Sequence, residues 1–395
     1  MSATPILGRI WILMATVFVD MLGFFLVLPL LPFYAEDLGA SPVVVGLLVS
    51  CFALAQLSSA PLWGRLSDRL GRKPALLAGL AVSAGSFVLF AYATNIWFLV
   101  FSRLIQGVGS GTTGVAQAYV SDAVSTKDRA KALGWLSAAT SAGVMLGPAL
   151  GSLAARLGPA APGLCAAGLC VLNVLCAWRF LPESHSHQAG HTREPIRRTM
   201  ATVLRQPLAP ASLMILVYAI GMMAFMAMNG ILALFLERRF GVDEHSIGWF
   251  YIYVGGISLV MRAVLLGPVI ARFGEVRAQR LGGLALALGM AAIPLPATIP
   301  GLALAIAFVP IGTALLFPAT TSLVTRWAPA GQTGQLLGVQ QAFGGICRMV
   351  GPMWSGAAFQ YLSIGAPFWI ASMLMVLVVV AAMRLGPSLT HPELQ

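Results

Sequence analysis

The chain has 395 residues, 58% of them hydrophobic and 9% charged, with a mean hydropathy of +0.86. No soluble core buries that much apolar surface, so the bilayer is the solvent, and the apolar runs are far too long for the strands of a membrane barrel. The formal charge of +11, from 24 Lys and Arg against 13 Asp and Glu, falls mostly at breaks between apolar runs, which argues against nucleic acid as a partner.

A helix that crosses a bilayer needs roughly 20 mostly apolar residues. In chain order, spans are predicted near 10–33, 42–63, 75–93, 96–120, 132–155 and 160–181. A polar segment, 182–208, follows. A second set lies near 209–236, 246–270, 279–298, 300–325, 334–360 and 366–384. The expected fold is therefore an all-α polytopic membrane protein of about 12 helices. The first apolar run is long enough to stay as a span, and no cleavable signal precedes it. Cys51, Cys165, Cys170, Cys176 and Cys347 all lie in apolar runs and read as small hydrophobes.

The bases are sorted to one side. With the N-terminus inside, the inner breaks hold Arg9, Arg65, Arg69, Arg72, Lys73, Lys127, Arg129, Lys131, Arg179, Arg193, Arg197, Arg198, Arg205, Arg272, Arg277, Arg280, Arg326 and Arg384. The outer breaks hold only Arg156, Arg238 and Arg239. This bias places both termini in the cytoplasm.

The chain also repeats itself at an offset of about 204 residues. Leu133-Gly134 through Gly147-Pro148 matches Leu337-Gly338 through Gly351-Pro352, and Gly64, Arg69 and Gly71 fall opposite Gly267, Arg272 and Gly274. The expected organisation is an N-terminal six-helix bundle (1–181), a cytoplasmic linker (182–208) and a C-terminal six-helix bundle (209–395), the two bundles being pseudo-symmetric. Duplicated halves of this kind are a transporter architecture with the substrate site near the bilayer midplane.

Several intramembrane polar residues stand out. Asp20 lies well inside the first span, where a charge is costly and a carboxyl that loads and releases a proton is the favoured reading. Arg103, Gln106, Ser110, Thr113 and Gln117 recur at helical spacing, a polar face suited to a wet cavity. Arg348, with Gln341, falls near mid-membrane and calls for a counter-charge. Met226 and Asn229, in a methionine-rich stretch, suit a pocket for varied apolar ligands. Gly143, Gly147 and Gly151, with Pro148 between them, form a strip for close helix approach.

The run Gly64-Arg-Leu-Ser-Asp68-Arg69-Leu-Gly71-Arg72-Lys73 resembles the loop signature of the major facilitator superfamily between helices 2 and 3. Arg103-Leu-Ile-Gln106-Gly107 resembles its helix-4 motif, and Gly143-Val-Met-Leu-Gly147-Pro148-Ala-Leu-Gly151 its helix-5 antiporter motif. With Asp20-Met-Leu-Gly23 through Pro29, the chain resembles the drug:proton antiporters of 12 helices, the tetracycline-exporter branch among them. The resemblance implies proton-coupled efflux of small apolar or amphipathic compounds, with Asp20 and Arg103 in proton coupling. It implies a cytoplasmic gate of Gly64, Asp68, Arg69, Gly71, Arg72 and Asp122, in which Arg72 reaches Asp122 and Asp68 meets the start of helix 11. The seam around Gly143, Gly147, Pro148 and Gly151 is expected between the halves. Helices 8 and 9 carry no His or Asp within their apolar runs, where the tetracycline exporters carry such groups.

No catalytic constellation or phosphate-binding Gly-Lys-Ser/Thr loop is present in the sequence, so no enzyme activity or ATP drive is expected. The loop histidines His185, His187 and His191 read as solvated, and no metal or cofactor beyond the proton gradient is expected. Expected partners are a small-molecule substrate, protons and membrane lipids, with the chain a monomer in a bacterial inner membrane. The competing readings are an uptake symporter for an organic anion and a non-transporting membrane receptor.

Overall fold

The computed structural model describes residues 6–124, 129–184, 196–329 and 332–384; His185, His187 and His191 lie outside them. Among the described residues there is no strand. The helices in order are α1 (Ile6–Val27), α2 (Leu31–Asp37), α3 (Pro42–Leu70), α4 (Arg72–Ala91), α5 (Ile96–Gly109), α6 (Thr113–Ala123), α7 (Arg129–Ala155) and α8 (Ala161–Phe180). They continue as α9 (Ile196–Arg205), α10 (Pro210–Phe240), α11 (Ile247–Val260), α12 (Leu266–Ala292), α13 (Ile299–Arg326), α14 (Thr333–Tyr361) and α15 (Ala366–Arg384).

Local chemistry sets many of the ends. Pro at the first or second position opens α3, α8, α10 and α13, where its missing N–H has no helical partner to lose. The Asn95 side chain accepts hydrogen bonds from the N–H groups of Trp97 and Phe98 to start α5, and Thr298 does the same for Gly301 in α13. Gly241 closes α10 in the left-handed conformation at φ 66°.

Three elements depart from the sequence reading. The span expected to end at 63 continues as α3 to Leu70, so Gly64–Leu70 is helix and the turn is Gly71 alone, at φ 104°. Only glycine adopts that conformation freely. The span read over 96–120 is two helices joined by a 3-10 turn at Ser110–Thr112. The spans read over 246–270 and 279–298 are continuous with one another except for Gly274, at φ 77° and ψ 163°.

The chain divides into two compact units. The first comprises Met1–Ser41, Cys51–Ala189 and Val242–Gly255; the second comprises Pro42–Ser50, Gly190–Gly241 and Gly256–Gln395. In the first unit, α7 lies against α1 through its glycine strip. A Cβ added at Gly143, Gly147 or Gly151 would come within 2.6, 2.8 and 2.1 Å of the carbonyl oxygens of Phe18, Leu22 and Leu26. In the second unit α14 meets α10 in the same way, with Gly351 against Met223 and Ala227. The strip Gly143, Gly147, Gly151, expected between the halves, thus faces a helix of its own unit.

Pro148 and Pro352 have a matching use. A Cβ on Gly248 of α11 would lie 2.9 Å from the Pro148 carbonyl oxygen, within the first unit. A Cβ on Gly46 of α3 would lie 2.2 Å from that of Pro352, within the second. In lipid, where apolar burial does not drive helices together, such backbone-to-backbone approach supplies much of the packing.

The glycines are not equivalent, and that can be measured. Gly151→Ala should destabilise the protein by about 1–3 kcal/mol through overpacking on Leu26. Gly64→Ala, in a helix with open space around it, should raise stability by about 0.5–1 kcal/mol. Thermal unfolding in detergent reads both; equal shifts of the same sign would contradict the packing described.

Candidate functional site

The first unit carries two polar clusters of opposite character. One is a charged network where α3 turns into α4. Arg72 donates from Nε to Asp122 at 2.9 Å, and from Nη1 to Asp68 at 2.7 Å and to Ser67 Oγ at 2.8 Å. The Arg72 side chain is only 13% exposed, so these bonds are partly shielded from water.

Glu183 completes the network and was not singled out from the sequence. Its carboxylate accepts from the N–H of Arg72 at 2.9 Å and of Lys73 at 3.2 Å, capping the start of α4 where unpaired N–H groups favour an anion. A Cβ on Gly71 would sit 2.5 Å from Glu183 Oε2, so a side chain there would push the carboxylate off its cap, and the φ favours glycine as well. Lys73 Nζ donates to the Trp178 carbonyl at 2.7 Å, and Tyr119 Oη to the Pro182 carbonyl at 2.7 Å. The available signal was Pro182-Glu183-Ser184 directly after an apolar span: an acid placed where the chain leaves the membrane. A cavity of about 380 Å³ opens beside it, lined in part by Ile12, Tyr119, Phe180 and Glu183.

The second unit holds the counterpart with its signs exchanged. At the repeat offset, Arg72 and Asp122 correspond to Glu275 and Arg326, which face each other at 3.8 Å. Ser322 Oγ also donates to Glu275, at 2.5 Å.

The other cluster lies inside α5. Arg103 is 0% exposed, its guanidinium rests 5.3 Å from the centre of the Phe90 ring, and none of its three nitrogens has a hydrogen-bond partner among the described residues. Gln106, one turn on and 1% exposed, is likewise unpaired at both amide atoms. The expected five-residue stripe does not stay on one face. Ser110 is buried, but Thr113 and Gln117 are exposed. The 3-10 turn between them winds at about 3.0 rather than 3.6 residues per turn, which rotates the second half of the stripe away. That turn is pinned from α3: Gln56 Nε2 donates to the Ser110 carbonyl at 3.3 Å and Trp63 Nε1 to the Val108 carbonyl at 2.6 Å.

Asp20 is half-buried in α1 and makes no ion pair or hydrogen bond among the described residues, so it is not joined to Arg103. One turn on, Gly23 lies against Cys170 and Phe87. Arg69 is exposed and lines, with Arg65, Trp63 and Leu66, an apolar groove of about 460 Å³. In the second unit, Met226 is half-buried and Asn229 spends its amide on the Phe225 carbonyl at 2.8 Å. Gln341 is exposed, whereas its neighbour Gln340 is fully buried and donates to Thr321 Oγ1 at 3.2 Å. Arg348 is half-buried. No group of three or more His, Cys, Asp or Glu is placed to hold a metal among the described residues.

The chain matches the Major Facilitator Superfamily over residues 13–310 and 214–394. It is 30% identical to the class C tetracycline resistance protein of Escherichia coli, over 95% of this chain and 96% of that one. It is 29% identical to multidrug resistance protein 2 of Bacillus subtilis, over 92% of each. Among solved structures it is similar to the human organic anion transporter MFSD10, with a TM-score of 0.74 at 24% identity over 96% of this chain and all of that one. A peptide transporter gives a TM-score of 0.81 at 15% identity, over 97% and 95%. At these identities the structural likenesses speak for the fold alone.

The network makes Glu183 a cap whose loss is measurable. Glu183→Ala should cost about 0.5–2 kcal/mol of stability, the range for losing a helix cap, while Glu183→Gln, which keeps an acceptor, should lose less. Thermal unfolding of both variants against the native protein checks this, and equal losses would show that the carboxylate acts only as a remote charge.

Proposed function

The chain belongs to the Major Facilitator Superfamily, and from that premise we propose that it exports small apolar or amphipathic compounds in exchange for protons. The observation that carries this reading is the end-to-end likeness to a multidrug resistance protein and a tetracycline resistance protein, each matched over at least nine-tenths of both chains. The absence of His and Asp from the apolar parts of α11 and α12 favours multidrug substrates over tetracycline.

The charge inventory supports proton coupling through few groups. Asp20 is the carboxylate set deepest within a span, about 21 Å along α1 from its start, and it has no ion pair or hydrogen bond among the described residues. An unpaired acid in low dielectric holds its proton until solvent reaches it, which is the behaviour required of a group that loads on one side and releases on the other. Arg103, unpaired and buried in the same unit, supplies a positive potential that acts against that protonation whenever the two approach. No covalent step is involved; the work is a change in which side of the membrane Asp20 and the substrate can reach.

The Arg72 network supports a gate on what we propose is the cytoplasmic side. Asp68 and Asp122 share one guanidinium, and the Asp68 side chain is 66% exposed. Arg72–Asp122 and the Glu183 cap hold the turn while Asp68 exchanges partners, so the gate changes state without dissolving its base. We assign localisation to the bacterial inner membrane, with the termini cytoplasmic.

Two variants separate the roles. Asp20→Asn, reconstituted in vesicles, should bind a lipophilic dye normally but move no protons in exchange for it; intact proton exchange would remove Asp20 from the mechanism. Asp68→Asn should lower the transport rate severalfold and leave dye affinity within about twofold, the change expected of an exposed ion pair. Lost affinity instead would place Asp68 in the substrate site.

A further inference from the structure

The second unit contains a polar site that the proton-coupling scheme does not use. Between α11 and α12 the helix winds into a π-turn at Met261–Leu265. Such turns insert an extra residue, re-aim a side chain and occur often at functional sites. The second residue of this turn is Arg262. It lies about 22 Å along from Ile247, well inside the span but past the middle of a bilayer core that is about 30 Å thick.

Arg262 has only a local tie. Its Nε donates to Ser258 Oγ at 3.3 Å, one turn back on its own helix. No carboxylate among the described residues pairs with it, and both Nη atoms are uncommitted. Met261, the residue before it, packs on Ala314 and Leu315 of α13, and that helix carries Phe317, which meets Tyr218 of α10. Tyr218 is 7% exposed and packs edge-on to Phe317 of α13, with ring centres 5.3 Å apart; Phe317 in turn meets Phe225 at 6.4 Å.

A second free cation lies on a helix packed against Tyr218. A Cβ on Gly344 of α14 would touch the Tyr218 ring at 2.8 Å, and Gly351 abuts Met223 and Ala227. Arg348 sits between these two contacts, one turn beyond Gly344 on the same face. It forms no ion pair or hydrogen bond among the described residues. Among the described residues of this unit the acids are Glu237, near the end of α10, and Glu275, beside the Gly274 break in α12.

We propose that Arg262, Tyr218 and Phe317, with Arg348, form a subsite for the anionic group of an aromatic substrate. The proposal rests on the transporter reading above and narrows its substrate class to aromatic acids, carboxylates or sulfonates attached to a planar ring. The free Nη pair of Arg262 matches a carboxylate two bonds at a time, which an ammonium point charge does not. The Tyr218 hydroxyl is a further donor, and the edges of Phe317 and Phe225 receive the ring. The anion supplies the counter-charge that these two guanidinium groups, both within spans, otherwise lack.

The test uses the full-length protein in nanodiscs, titrated with 1-naphthoate, the neutral 1-naphthylmethanol and the cationic 1-naphthylmethylammonium. Naphthoate should bind at least about tenfold more tightly than either counterpart, the range for hydrogen bonds to a charged group. Arg262→Gln should abolish that preference while leaving naphthylmethanol unchanged, and Arg262→Lys should lose less. Tyr218→Phe, which removes one hydroxyl, should weaken naphthoate alone and keeps the test available if Arg262→Gln does not fold. Equal binding of the three compounds, preference for the ammonium, or full naphthoate affinity in Arg262→Gln would overturn the proposal. The subsite and the export reading fail separately. Arg262-dependent naphthoate binding with no substrate-driven proton movement in vesicles of the native protein sinks the export scheme alone. Asp20-dependent dye export without naphthoate preference sinks the subsite alone.

Discussion

The structure depends on how closely helix backbones approach in a solvent that offers no reason for apolar surfaces to meet. Lipid tails are as apolar as leucine, so association comes from contact and from polar bonds. The chain meets this with glycine at the places where a methyl group would strike a backbone oxygen: Gly143, Gly147 and Gly151 of α7 against α1, and Gly351 of α14 against α10. The repeat preserves the arrangement in both units, although the side chains facing these glycines differ. α7 and α14 are thus each the small-residue member of a tight pair, and Pro148 and Pro352 turn a carbonyl toward a further glycine on another helix.

Charge follows a different rule. Where water reaches, opposite charges are grouped: Arg72 serves Asp68 and Asp122, while Glu183 caps the helix that Arg72 begins. The second unit conserves the pairing but exchanges the signs, with Glu275 opposite Arg326. A local ion pair depends on the product of two charges and is unaffected by swapping them, whereas the surroundings of each turn are not. Inside the spans the grouping stops. Arg103, Arg262 and Arg348 have no acid partner among the described residues, an arrangement that is costly within a membrane.

Much of this was legible in the sequence because the bilayer enforces a simple pattern. A run of about 20 apolar residues admits one outcome, and each predicted span has a helix in its place. The repeat was readable from Gly147-Pro148 and Gly351-Pro352. What was not readable is direction and reach. Glycine spacing announces a strip but not its partner, so Gly143, Gly147 and Gly151 were assigned to a seam when they face α1. The stripe through Gln117 assumed a uniform helix that the Ser110–Thr112 turn interrupts. The α3 boundary was set at the first charges, yet Arg, Leu, Ser and Asp continue a helix past the end of the lipid. Glu183 was missed because its partners lie more than a hundred residues away in sequence, beyond any local pattern.

The 3-10 turn in the fourth span also bears on how the protein is made. The segments 96–123 and 333–361 do not by themselves reach the length and apolarity of the other spans. They are also the segments that carry Arg103, Gln106, Gln340 and Arg348. Their polar residues therefore make them poor candidates for entering the membrane alone during synthesis. The bonds from Gln56 and Trp63 to the carbonyls of Ser110 and Val108 tie the first of them to a helix translated earlier. In the folded chain these bonds to α3 hold the fourth span with polar contacts where its hydropathy is low.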